Sequence, residues 1–418
     1  MPSSLSWERQ VLPNGLTVLL YPKPSAMTGQ VSVAIKYGSN DDAVETLGTA
    51  HFLEHILVGG SRKRIKLHHE IEKLGGASYF ETSAECTFTK VDVFPDKIVK
   101  ASKILSDLLF DQEIEKDKVE VERKVILNEI AEASDDPTNK IMETLLKSIF
   151  KSHPVRNPIA GTKQTVKHLT ISHLEQNHKE YYVPENMVLI LTGNFSDTDK
   201  ETILRNFESH KNKSTALKNT TKPEDTKPKK ETKIERSGIT QTYLGFGFKT
   251  TPATHPDVPA LDLVDAILGT GESARLFAEL REKRALTYDI GAINISGLDY
   301  GFFAIDCAVT PNTLKQTQTI IQAELEKLKT QPVEKAELEE SKSLLIANYY
   351  RTIDDSHLLP ILLADSEIHH KNPLALQNYL DRIAQLSGPD ITETANKYFR
   401  EENYAWVILT GNQPKKPS

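Results

Sequence analysis

The stretch Gly48–Gly60, GTAHFLEHILVGG, decides how the rest of the chain is read. Its apolar residues recur at helical spacing. On a helix His51 and His55 stand at i and i+4, one turn apart on one face, and Glu54 lies beside them. Two neutral imidazoles directed the same way make two donors of a tetrahedral Zn2+ site. Such a site keeps a position for water and lowers its pKa toward ~7. A carboxylate beside that water can take its proton and later return it to a leaving group.

The pattern H-x-x-E-H is an inverted zinc motif. Three fixed residues in five also arise by chance, so a third ligand is required. The bland alternative is a helix with two satisfied histidines. The best third ligand lies in Val119–Ala133, VEVERKVILNEIAEA. Glu122 and Glu129 are two turns apart on one face, with Val125 and Ile126. A carboxylate in apolar packing is costly unless paired or metal-bound. Glu129 would complete a His2Glu set and Glu122 would stand behind it. Spacing alone leaves both residues equally readable as solvated acids. The pairs His68–His69 and His369–His370 sit amid Lys and Glu and are read as surface residues.

Bulk properties narrow the classes. The chain has 418 residues, 38% of them hydrophobic, and a net charge of -7. Its basic residues form no stripe, which argues against a nucleic-acid partner. The two cysteines, Cys86 and Cys307, are far apart, as in a protein of a reducing compartment. No run of ~18 apolar residues occurs, so no membrane span is expected. The opening MPSSLSWERQVLPNG lacks an apolar signal core. A cytoplasmic protein is the expectation.

The polar segment Lys211–Ser237 cannot bury a face and reads as a linker. It separates a half at 1–210 from a half at 238–418, and the halves repeat. YYVPENMVLILTGN (181–194) matches YFREENYAWVILTGN (398–412). Self-similarity at this length indicates duplication. Residues 31–38 and 87–94 alternate like strands, and 301–309 reads as a strand. Residues 99–111, 119–133 and 260–269 have helical spacing. The mixture predicts an α+β fold with antiparallel sheets packed by helices. GTGES (269–273) lacks the GK[ST] of a phosphate loop and reads as the start of a helix.

With these residues in place, the chain resembles the pitrilysin/insulysin and mitochondrial-processing-peptidase family of zinc metallopeptidases. The resemblance runs through RQVLPNGLTVLL, KYGSNDD, GTAHFLEH, IEKLGG, VERKVILNEI with DDP, HPVRNPIAGT, and ILGTGESARLFAELREKRALTYDIGA with GLDYGFF. It implies Zn2+ held by His51, His55 and Glu129, the last lying 74 positions after His55. It implies Glu54 as general base, assisted by Glu122. It also implies that Arg281 and Tyr288 hold substrate and stabilise the attacked carbonyl. After IEKLGG the family has Asn-Ala near the substrate edge, whereas this chain has Tyr79 and Phe80. Tyr79 is therefore expected to alter peptide preference. Two α+β domains in each half, four in all, and a homodimer acting on short or unfolded peptides complete the expectation. A peptide-binding subunit without catalysis would lack part of the ligand set, and none is missing here.

Overall fold

The computed structural model describes residues 7–213, 224, 227–236 and 238–411. The remainder of the expected linker lies outside the described residues. The strands are β1 (Glu8–Val11), β2 (Thr17–Pro22), β3 (Gly29–Ile35), β4 (Ala77–Thr82), β5 (Thr87–Val93), β6 (Met187–Gly193), β7 (Glu231–Arg236), β8 (Thr242–Lys249), β9 (Thr287–Ser296), β10 (Gly301–Val309) and β11 (Tyr404–Gly411). The first eight helices are α1 (Thr49–Gly59), α2 (Arg62–Lys73), α3 (Ile98–Phe110), α4 (Lys116–Asp135), α5 (Pro137–Ile149), α6 (Lys163–His168), α7 (Ile171–Tyr181) and α8 (Asp197–Glu208). The others are α9 (Val258–Gly269), α10 (Leu314–Thr330), α11 (Lys335–Asp354), α12 (Leu358–His369), α13 (Ala375–Gln385) and α14 (Gly388–Tyr398).

Two compact units result, where the sequence reading expected four. The strands between residues 8 and 193 form one sheet and those between 231 and 411 form another, one for each unit. The first sheet runs β1-β2-β6-β3-β5-β4 and the second β7-β11-β8-β10-β9. Both are antiparallel except for one parallel pair each, β2 with β6 and β7 with β11. Strand β7 arises from the C-terminal part of the stretch read as linker.

The units exchange segments. The first holds residues 1–132, 157–219 and 352–376, and the second holds 133–156, 220–351 and 377–418. In the first unit every residue of β3 is buried. Val31, Val33 and Ile35 join Phe52, Leu53, Ile56 and Leu57 of α1 and Leu105 and Leu108 of α3 in one core. Helix α12 also packs in this unit, against β6. Arg9 grips its Glu367 through two hydrogen bonds of 2.8 Å each. No helix among the described residues is long and apolar enough to cross a membrane.

The repeated Glu-Asn has a physical role. Asn186 Nδ2 donates to the carbonyls of Tyr181 and Lys36, at 3.1 and 3.3 Å. Asn403 Nδ2 donates to those of Tyr398 and Lys249, at 2.8 and 2.9 Å. In each unit one amide ties a helix end to the neighbouring strand, where buried carbonyls need donors.

In the second unit β8 has two different faces. Leu244, Phe246 and Phe248 enter the core with Leu261, Val264 and Leu268 of α9. Gly245 and Gly247 clear the other face for α5. A Cβ at Gly245 would lie 2.6 Å from Ile141 Cγ2, and one at Gly247 would lie 2.7 Å from Ile149 Cδ1. Gly247→Val should therefore destabilise the protein by about 1–3 kcal/mol through overpacking. Chemical denaturation should show a lower midpoint; an unchanged midpoint would contradict this packing.

Candidate metal centre

Helix α1 begins at Gly48, whose φ of +93° suits glycine. A Cβ there would also lie 2.6 Å from the carbonyl oxygen of Ala160. Glycine has no side chain to cap the helix, so Asp42 does so from six residues upstream. Its carboxylate accepts from Gly48 N at 2.8 Å, Ala50 N at 3.1 Å and the Tyr37 hydroxyl at 2.9 Å. The buried acid offsets the positive helix end and satisfies exposed amides. Burial pushes its pKa up to about 7, against the opposing pull of those three donors. At the other end, the buried Arg64 donates to the carbonyls of Leu57, Leu108 and Asp111, fastening the ends of α1 and α3.

Helix α4 brings the distant acids to α1. Arg123 donates to the carbonyls of Val166 and Leu169, and its guanidinium lies 5.2 Å from the centre of the Phe52 ring. Gly59 leaves the space that Glu122 fills, since a Cβ at 59 would lie 2.0 Å from Glu122 Oε1. Val119 and Ile126 are buried, whereas Val125 is 40% exposed. The Glu129 side chain is 43% exposed and that of Glu122 is 18% exposed. Glu129 thus lies at an opening, outside the apolar packing inferred from its spacing.

The structure brings His51, His55 and Glu129 together. One donor atom from each lies within 4.8 Å of the others, and this is the only such trio among the described residues. Glu129 Oε2 is 3.3 Å from His55 Nε2 and 3.9 Å from His51 Nε2. His55 Nδ1 faces Glu122 Oε2 at 3.1 Å. A carboxylate accepts, so Nδ1 is the donor to Glu122, and Nε2, which faces Glu129, is the nitrogen left to bind a metal once it carries no proton. Two imidazole nitrogens and a carboxylate oxygen suit Zn2+. Glu122 touches a histidine rather than the central space.

The two histidines differ electrostatically. Burial, helped by the neighbouring His55, holds the His51 pKa down to about 4. Burial also works to lower that of His55, but the Glu122 hydrogen bond and the charges of Glu129 and Glu54 outweigh it and raise the net value. Glu54 sits beside them. Burial pushes its pKa up, the His55 charge and the Thr82 hydrogen bond oppose this, and the Glu129 and Glu81 charges add to it. Thr82 Oγ1 donates to Glu54 Oε2 at 3.0 Å. Sequence reading missed Thr82, though it follows Tyr79 at a spacing that a strand directs to the opposite face.

Tyr79 lies on β4 and donates to Glu81 Oε2 at 2.7 Å, with its ring edge-on to His357 at 4.5 Å. It does not touch Glu54. Arg281 and Tyr288 belong to the second unit. The Arg281 guanidinium lies 4.6 Å from the Phe277 ring centre and 4.9 Å from that of Tyr288. Arg281 occupies a π-helical turn, Phe277–Glu282, and Tyr288 is 81% exposed. Two histidines read as surface residues are partly buried. His369 Nε2 meets Glu85 Oε2 at 2.6 Å, and His68 Nε2 meets Ser78 Oγ at 2.8 Å. Their sequence neighbours are polar, but packing across the fold encloses them.

Comparison with known proteins places this arrangement. Residues 17–163 match the family model described as Insulinase (Peptidase family M16), and residues 168–345 match Peptidase M16 inactive domain. The chain belongs to peptidase family M16. This M16 chain is similar to an uncharacterized zinc protease of Rickettsia felis, with 28% identity over 95% of this chain and 96% of that protein. It is similar to the uncharacterized zinc protease YmxG of Bacillus subtilis, with 26% identity over 97% and 99%. Its fold matches a protease from Helicobacter pylori at a TM-score of 0.89, with 24% identity over 97% of this chain and 99% of the other.

The electrostatics predict how metal binds. His51 is neutral above about pH 4, whereas His55 has a raised pKa and must lose a proton to coordinate. Zn2+ affinity should rise with pH through the His55 titration, and calorimetry in buffers of different ionisation enthalpy should register proton release. No release near neutral pH would contradict this. Gly59→Ala should displace Glu122 and weaken Zn2+ binding by about 10–100-fold, measured by chelator competition. Unchanged affinity would show that Glu122 does not position His55.

Proposed function

We propose that this chain is a zinc-dependent endopeptidase for short or unfolded peptides. The observation that carries the reading is the convergence of His51, His55 and Glu129, with the Glu54 carboxylate close enough to feel the charges of His55 and Glu129. The similarity to zinc proteases of Rickettsia felis and Bacillus subtilis supports zinc as the metal. Bound zinc would polarise the scissile carbonyl and acidify a water. Glu54 would accept that water's proton and deliver it to the leaving nitrogen. Its raised pKa favours that dual role, because a carboxyl that binds a proton more readily can hold it between the two transfers. Thr82 holds one Glu54 oxygen, and Glu122 holds the His55 ring.

Substrate would add to the edge strand β4 by backbone pairing. Arg281 and Tyr288 are further proposed as donors to the attacked carbonyl, where negative charge develops. The resemblance to zinc metallopeptidases supports those roles, and the stacked guanidinium keeps the two donors together. The reading extends to a cytoplasmic homodimer, which sedimentation of the purified chain would test.

Glu54→Gln should retain zinc while cleavage of a quenched peptide library falls by about 10²–10⁴-fold. Full activity in that variant would sink the proposal. A folded variant that has lost its zinc would instead place Glu54 among the groups that hold the metal.

A further inference from the structure

Strand β4 pairs with β5 alone, so its other edge carries unpaired backbone groups among the described residues. The register shows which ones. Ser83 N donates to Cys86 O at the hairpin end, and the β4–β5 ladder has no irregularity. In an antiparallel ladder, residues of one parity direct N–H and C=O at the partner and the others direct theirs away. Ala77, Tyr79 and Glu81 share the parity of Ser83 and face β5. Ser78, Phe80 and Thr82 direct their backbone groups outward.

Side chains alternate with the same parity. Ser78 and Thr82 meet His68 and Glu54, and Phe80 packs on the core, so that face belongs to the helices. Tyr79 and Glu81 stand on the other face. Glu81 is exposed, and its carboxylate accepts from the Tyr79 hydroxyl at 2.7 Å. The phenol orients the carboxylate without neutralising its charge. The adjacent residue, Thr82, holds Glu54.

We propose that Glu81 selects a basic side chain in the substrate. The inference rests on the peptidase reading and names a substrate class for it. A peptide paired with the outward groups of Phe80 and Thr82 would place one residue directly across from Glu81. Its side chain would emerge on the face of Glu81, where directly opposed Cβ atoms lie about 4.5–5.5 Å apart. A Lys or Arg there would find a carboxylate already oriented. Tyr79 enters substrate preference through the acid that it holds.

The test uses purified full-length protein, zinc-loaded, with quenched peptides that differ only in Lys, Gln or Glu at each position in turn. At one position the wild type should prefer Lys to Gln by about five-fold, the upper range for an opposed charge pair, and should disfavour Glu. Glu81→Gln should bring the Lys-to-Gln ratio of kcat/KM to about one, and Glu81→Lys should favour the Glu peptide. Each ratio is internal to one variant, so differences in folding cancel. A flat wild-type profile, with cleavage that Glu54→Gln abolishes, would overturn this inference and leave the peptidase reading standing. A Lys preference that survives Glu81→Gln would also overturn it, as would a variant that aggregates without a changed ratio, the mark of an edge-protecting charge. If the wild type cleaves none of the peptides, both readings fall.

Discussion

The metal centre depends on the Glu122 side chain reaching His55, and the absence of a side chain at residue 59 leaves the space for it. Any Cβ there would collide with Glu122. With glycine, the Glu122 carboxylate reaches His55 Nδ1, and the same helix carries Glu129 two turns further to the two imidazoles. The phase of α1 is fixed from its other end by Asp42, which accepts from the Gly48 and Ala50 amides. A helix held at both ends has little freedom to rotate its histidines away. Arg123 then locks α4 against the carbonyls of Val166 and Leu169. Each contact is modest, but together they hold three donors whose mutual approach would otherwise be resisted by desolvation.

Much of this was legible in the sequence because it is local. The i, i+4 histidines and the two-turn spacing of Glu122 and Glu129 are properties of one helix each. The strands at 31–38, 87–94 and 301–309 and the helices at 99–111, 119–133 and 260–269 showed through periodicity and fall on described elements. The duplication was visible in its repeated Glu-Asn, and the Asn186 and Asn403 hydrogen bonds give that repeat a physical cause.

What the sequence does not show is non-local. Periodicity cannot reveal that α5 docks on the glycine face of β8, or that α12 docks beside β6, because helices carry no mark of which sheet they will cover. The partner of the partly buried His369 is Glu85, which lies 284 positions away. Thr82 looked like any strand threonine until the hairpin register set it against Glu54. The parallel pairs β2–β6 and β7–β11 likewise join strands separated by more than a hundred residues. Tyr79 departs from a family pattern, yet its partner Glu81 carries the charge.

The central claim is that His51, His55 and Glu129 hold one zinc ion with Glu54 beside it. Anomalous diffraction at the zinc edge, from crystals of the zinc-loaded protein, tests it most directly. The account predicts a single strong peak about 2.0–2.2 Å from an imidazole nitrogen of His51, one of His55 and a carboxylate oxygen of Glu129. A peak held by other residues, or a folded protein with no peak at this cluster, would contradict it.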